Sequence, residues 1–240
     1  MKLIWILALL PSLTLASVKY HLGTATKEGK PVYTEKHAVT WDDATGEVLE
    51  ANTEYINNDG KTIATLKSDF RPSITNPAHE MNDLRDDRRY GVRYEGEQAI
   101  MWDKKKDEKE RSEKLKKGFA DDRTVIGSQG LHYYMRTRLT EYHKKKLNIA
   151  LLIPGRMDWF GFLVEYKGEK NGRWEYYAKA QSFFLRLFAP SLTVWYTPDG
   201  QLLEFVGPSN VNDDKGEIQN VRITYEYPAE PSAALKKASP

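Results

Sequence analysis

The chain has 240 residues, a formal net charge of +2 and no cysteine. That length can bury a sizeable core, and the missing thiols exclude disulfide staples, thiolate catalysis and Cys-ligated metals. Acids and bases are interspersed, which excludes the basic footprint of a nucleic-acid binder, while 14 Tyr, 8 Phe and 6 Trp favour a sheet packed on aromatic rings.

Lys2, the apolar run Leu3 to Leu10, the break at Pro11 and Ser12, and the small residues Thr14 and Ala16 form the pattern of a signal peptide over 1–16. The run is too short to span a bilayer, and no cysteine follows for lipid attachment. The expected product starts at Ser17, is periplasmic or secreted, and has no transmembrane segment.

Four strands follow in an antiparallel meander: Val18 to Leu22, Val32 to Trp41, Val48 to Ile56 and Ile63 to Phe70. In the first, Val18, Tyr20 and Leu22 share one face, with Lys19 and His21 opposite. Turn signals at Glu28 to Pro31, Asp42 to Gly46 and Asn57 to Gly60 separate them. Pro72 and Pro77 make Arg71 to Asp87 read as irregular. Tyr90 to Tyr94 and Gln98 to Trp102 form a further hairpin. Lys104 to Lys117 has Leu115 as its one apolar residue, so it reads as a solvated loop or a protruding helix.

Ser128 to His143 carries Leu131, Tyr134, Met135, Leu139 and Tyr142 at helical spacing, with Ser128 as its cap. Six strands complete the chain: Leu147 to Ile153, Trp159 to Tyr166, Trp174 to Ala180, Leu192 to Tyr196, Leu202 to Val206 and Val221 to Tyr227. Residues 229–240 read as a disordered tail. The pattern predicts one β-rich domain over 17–228. It is mainly β: a single strongly curved antiparallel sheet or open β-barrel, with one amphipathic helix packed on or in it.

Catalytic motifs are near misses. His79-Glu80-Met81-Asn82-Asp83 has an aspartate where a zinc helix needs its second histidine, and reads as a solvated loop. Ile126-Gly127-Ser128-Gln129-Gly130 lacks the first glycine of a nucleophile elbow. His21, His37, His79, His132 and His143 show no metal spacing, although His21 and His37 can face each other across the first hairpin. No phosphate loop is present, so no catalytic residue, metal or cofactor is assigned.

Two stretches carry more. Leu152 to Phe162 presents Arg156, Asp158 and Trp159 just after a Pro-Gly turn, a guanidinium and a carboxylate suited to a polar head group. Ser182 to Pro190 sets Phe183, Phe184, Leu185, Leu187 and Phe188 around Arg186, the composition of a core strand or of a groove wall with a cation at its rim.

With the run Gly127-Ser128-Gln129-Gly130-Leu131, the segments Ile153 to Asp158 and Leu185 to Pro190, and the turn Gly207-Pro208-Ser209-Asn210, the chain resembles a family of exported bacterial proteins of unknown function. The architecture also looks like the curved sheet plus helix of periplasmic lipoprotein carriers. The resemblance implies an envelope location and no catalytic residues.

The expectation is therefore a non-enzymatic envelope protein that binds a lipid or other amphipathic small molecule in a sheet–helix groove. Arg156, Asp158, Trp159, Phe183 and Arg186 would be its contacts. The alternatives are an envelope hydrolase using Asp158 or another acid with Arg156, and a structural or protein-interaction module acting through an exposed strand edge or the charged Lys104 to Lys117 arm.

Overall fold

The computed structural model describes residues 15–116, 118–182 and 191–229. Among them, fifteen strands form one sheet that does not close into a barrel. In chain order they are β1 (Ala16–Lys27), β2 (Lys30–Asp42), β3 (Val48–Asn57), β4 (Thr62–Asp69), β5 (Ala78–Asp83), β6 (Arg88–Glu95), β7 (Gln98–Lys104) and β8 (Arg111–Lys114). Then come β9 (Thr124–Gly127), the helix α1 (Gly130–Arg136), β10 (Leu147–Ile153), β11 (Asp158–Lys170), β12 (Arg173–Ala180), β13 (Leu192–Tyr196), β14 (Leu202–Pro208) and β15 (Asn220–Glu226).

The spatial order runs from β8 back to β1, then to β15, then back to β9. Every neighbouring pair is antiparallel except β9 with β10. The two edges, β8 and β9, are therefore joined by residues 115–123 alone. Laid flat, the sheet would hold those edges ~67 Å apart at ~4.8 Å per strand. The joining segment spans at most ~34 Å fully extended. The sheet has to curl.

Curling puts small residues on the concave side. On β1 the inward row is His21, Gly23 and Ala25, opposite His37, Glu35 and Tyr33 of β2. Val18, Tyr20 and Leu22 point outward, and Val18 is 44% exposed. Residues share faces as their alternation predicts, but the more apolar row of β1 is the outer one.

Arg71 to Asp87 is not wholly irregular, because it contains β5, where His79 and Met81 are buried. Pro77 sits just before that strand, where its missing N–H costs no ladder bond. The charged arm supplies the edge strand β8, exposed at all four residues, and such charge discourages a further strand from pairing. The helix is shorter than its stripe suggested: it ends at Arg136, and Leu139–His143 forms a 3-10 turn. Its cap position is Gln129, without a side-chain bond, rather than Ser128. The first helical residue, Gly130, is a glycine because a Cβ there would lie 1.9 Å from the Thr75 carbonyl oxygen.

The larger core gathers Met135, Leu139 and Tyr142 against Ile149, Phe162, Tyr176 and Val194 of the second half of the sheet. A second cluster holds Tyr33, Tyr55, Leu66 and Met81 with Val211, Val221 and Ile223. Tyr133 carries the helix across to Val39, Val48 and Phe70 of the first half.

One ionic junction ties the two ends of the curl. Asp103 of β7 has no exposed side-chain surface and accepts from Arg88 Nε at 2.8 Å and from Arg111. Arg88 also donates to the Gly155 carbonyl, in the turn that follows β10. Burial opposes the charge on Asp103, but the hydrogen bonds from Arg88 and Arg111 outweigh it and hold its carboxyl below the usual carboxylate range. A depressed folded-state value stabilises the fold above the unfolded pKa and is lost as pH falls. The fold should therefore weaken below pH ~4, and Asp103→Ala, which strands the Arg88 charge, should cost ~3 kcal/mol at neutral pH. Urea melts of both proteins at pH 7 and pH 3.5 check this: the mutational cost should shrink at the lower pH.

Candidate binding cavity

A cavity of about 490 Å³ lies between the two halves of the sheet and α1. That volume falls in the range of small-molecule sites. Its second-half wall is mostly apolar, with Leu151, Phe160, Phe162, Val194, Leu202 and Phe205, and Leu131 from the helix side, beside the polar Arg156, Ser209 and Asn210. Its first-half wall carries His21, Glu35, His37 and Thr53, with His132 of α1 and Tyr225 of β15. The cavity is thus two-sided, mostly apolar on one wall and polar on the other.

The polar strip follows from register. Glu35 and His37 are two apart on β2 and so share the inner face. His21 lies opposite His37 on β1, Thr53 lies opposite His37 on β3, and Tyr225 pairs with Gly23. His37 Nε2 meets Glu35 Oε2 at 3.0 Å, and His37 Nδ1 meets the Thr53 hydroxyl at 2.8 Å. A carboxylate only accepts, so Nε2 carries a proton. Tyr225 donates its hydroxyl to the same Glu35 oxygen at 3.3 Å. The His21 ring stacks on His37 at 4.2 Å with planes 7° apart, and on Tyr227 at 5.0 Å. His132 stacks on Tyr196 at 5.7 Å.

Burial, reinforced by His37 and His132, holds the His21 imidazole well below its usual value. Burial with Arg136 and His37 pushes His132 down to about 3. Both rings are neutral at physiological pH. Burial, then the charge of Glu35, pushes the Tyr55 and Tyr225 phenols well up, so both remain O–H groups. Among the described residues no group of three or more His, Asp or Glu is arranged to hold a metal ion. The parallel stack of His21 on His37 explains part of this, since it turns ring faces rather than nitrogen lone pairs toward each other.

Of the residues singled out from sequence, Arg156 lines the cavity at an exposed position, with its guanidinium 6.0 Å from the Phe160 ring. Asp158 and Trp159 do not line it. Asp158 is exposed and accepts the Trp159 backbone N–H at 2.7 Å, and Trp159 packs on Phe119 at 5.6 Å and on Arg123 at 5.7 Å. The cause is Met157, whose φ of 54° turns the chain between Arg156 and Asp158. The two are no longer neighbours on an extended strand, and no ion pair joins them among the described residues. Phe183 and Arg186 lie outside the described residues. Sequence reasoning found the His21–His37 pairing but missed Glu35, Thr53 and Tyr225. The Glu35-x-His37 spacing beside His21 was the available signal.

A more open depression of about 650 Å³ on β3–β7 is rimmed by Glu50, Lys67, Glu80, Arg89, Arg93 and Lys104. Its charges are of both signs and partly paired, as in Arg93–Glu110 at 2.7 Å, and it offers no enclosed apolar surface. The smaller cavity is the better site. No family model matches the chain, and no curated protein matches it significantly.

Gly23 makes the polar strip possible. A Cβ there would lie 2.9 Å from Glu35 Oε2 and 3.0 Å from both Ile223 and Tyr225. Gly23→Ala should therefore cost ~1–3 kcal/mol by overpacking, even though alanine normally improves on glycine in a strand. Thermal melts of the variant beside Gly29→Ala, which meets nothing within 4 Å but carries a φ of +77°, separate crowding from backbone strain. The Gly23 variant should also perturb the Tyr225 ring signals in NMR spectra, and the Gly29 variant should not.

Proposed function

We propose that this is an exported envelope protein that binds one apolar or amphipathic molecule between its curved sheet and α1. The observation that carries this reading is the two-sided cavity of about 490 Å³. An apolar chain against Leu151, Phe162, Val194 and Leu202 removes surface from water, and the polar wall receives a head group. Each buried methylene contributes ~0.8 kcal/mol, so a ten-carbon chain supplies ~8 kcal/mol before the costs of association. Export rests on the Lys2 to Ala16 pattern. The Asp158 form of the hydrolase reading gains no support, because Asp158 is exposed and does not line the cavity.

Protein purified without detergent from the periplasm of an expressing cell should carry a discrete non-covalent mass in native mass spectrometry. Organic extraction should release that mass as a lipid-like molecule. A bare polypeptide mass, together with no uptake of an apolar dye by the folded protein, would contradict the reading. A large side chain at the apolar wall gives a second check. Val194→Trp should occupy the space, keep the β circular-dichroism spectrum and lose dye uptake; a variant that keeps full uptake would place the dye elsewhere.

A further inference from the structure

We infer, resting on that reading, that the ligand is a cationic amphiphile: an aliphatic chain on the apolar wall with a protonated amine head seated on Glu35. Glu35 is 4% exposed yet lines the cavity. Its one ionisable partner in ion-pair range among the described residues is His37, which is charged only when protonated. Its other donor is the neutral Tyr225 hydroxyl. Both act on Oε2, and no hydrogen-bond donor to Oε1 is found among the described residues.

A buried carboxylate whose donors reach only one oxygen leaves the other as an acceptor that a cationic head in the cavity can fill. An ammonium head brings both the charge and three donors. The surroundings suit it in a second way. Tyr55 lies opposite Glu35 on β3, and Tyr225 reaches it from β15, so the approach to the carboxylate is flanked by aromatic rings of the kind that attract cations.

The other charges at the cavity do not reverse this. Arg88 is committed to Asp103 and the Gly155 carbonyl, and Arg156 stands at an exposed position beside Phe160. His21 and His132, the titratable groups nearest the strip, are held neutral first by burial, then by the neighbouring imidazoles and, for His132, by Arg136. An anionic head brought to Glu35 would meet its carboxylate, and of the described cations lining the cavity Arg88 is paired and Arg156 stands at an exposed position. The missing side chain at Gly23 keeps the carboxylate in place, since a Cβ there would displace it.

The test is fluorescence displacement of Nile red from the full chain by decylamine, decanol and decanoate at neutral pH, which share one chain and differ in head charge. Decylamine should bind at least about tenfold more tightly than decanoate, with decanol between them. In Glu35→Gln, folded by circular dichroism, the amine's advantage over decanol should fall to within about twofold. Decanoate binding as tightly as decylamine, or an amine preference that survives in Glu35→Gln, overturns the inference. Decanoate binding lost in Arg156→Gln would place an anionic head at the rim instead, and also overturns it. If Nile red enters but no decyl compound displaces it, head-group recognition fails while the cavity reading stands. If Nile red does not enter at all, the cavity reading fails and the inference falls with it. The wild-type series decides the sign of the preference even if the variant does not fold.

Discussion

The junction of Arg88, Asp103 and Gly155 holds the two ends of the curled sheet together. It joins β6 and β7, near one edge of the sheet, to the turn after β10, near the other. A fifteen-strand sheet could relax its curl by letting its edges part, since ladder bonds between neighbours constrain twist more than overall closure. The short 115–123 link limits how far the edges can separate, and the ionic junction sets where they meet. The loop before β5 adds a neutral tie, with the Gly127 N–H donating to the Thr75 carbonyl at 2.8 Å. Between these ties the halves stand apart far enough to leave a cavity.

Because the sheet is curled rather than sandwiched, each strand has a concave face that is short of space. Gly23 and Ala25 answer that shortage on β1, and the room they leave is taken by Glu35, Tyr33 and Tyr225. The large aromatic residues are used in two ways. Tyr55, Tyr176 and Tyr196 are fully buried and fix the packing of each half. Their hydroxyls remain polar handles, as where Tyr176 donates to the Leu139 carbonyl at 2.9 Å and so holds the 3-10 turn after α1 on the sheet. The helix bridges both halves through Tyr133 on one side and Met135 on the other, which makes it the roof of the cavity rather than a plug in it.

Much of the fold is legible in the chain. β2, β3, β4, β10, β12, β13 and β15 stand within two residues of where alternation and turn residues place them, and the Asn171-Gly172 turn has both residues at positive φ as its composition implies. What composition hides is strands with little apolar content. β8 is Arg-Ser-Glu-Lys, and β5 pairs its buried His79 and Met81 with Glu80 and Asn82. β9 is four residues long and is held by parallel pairing with a strand that comes later. Alternation says which side chains share a face, but not which face is inside. On β1 the more apolar row, Val18, Tyr20 and Leu22, is the outer one, so apolarity does not mark the inner row that sets His21 and Gly23 opposite His37 and Glu35. Arg156 is legible as a loop cation, but Asp158 does not join it at the cavity, because Met157 at φ 54° turns the chain between them.

The proposed function requires a hollow, two-sided space on the concave face that accepts a chain-bearing molecule. Methyl-labelled NMR reports on it directly, because Leu151, Val194, Leu202 and Ile223 line the cavity while Val18 and Leu84 lie outside it. Titrating decylamine into the labelled protein should shift the first group in a saturable way and leave the second unmoved. Shifts confined to Val18 and Leu84, or none at all, would mean that the concave face is not a binding site.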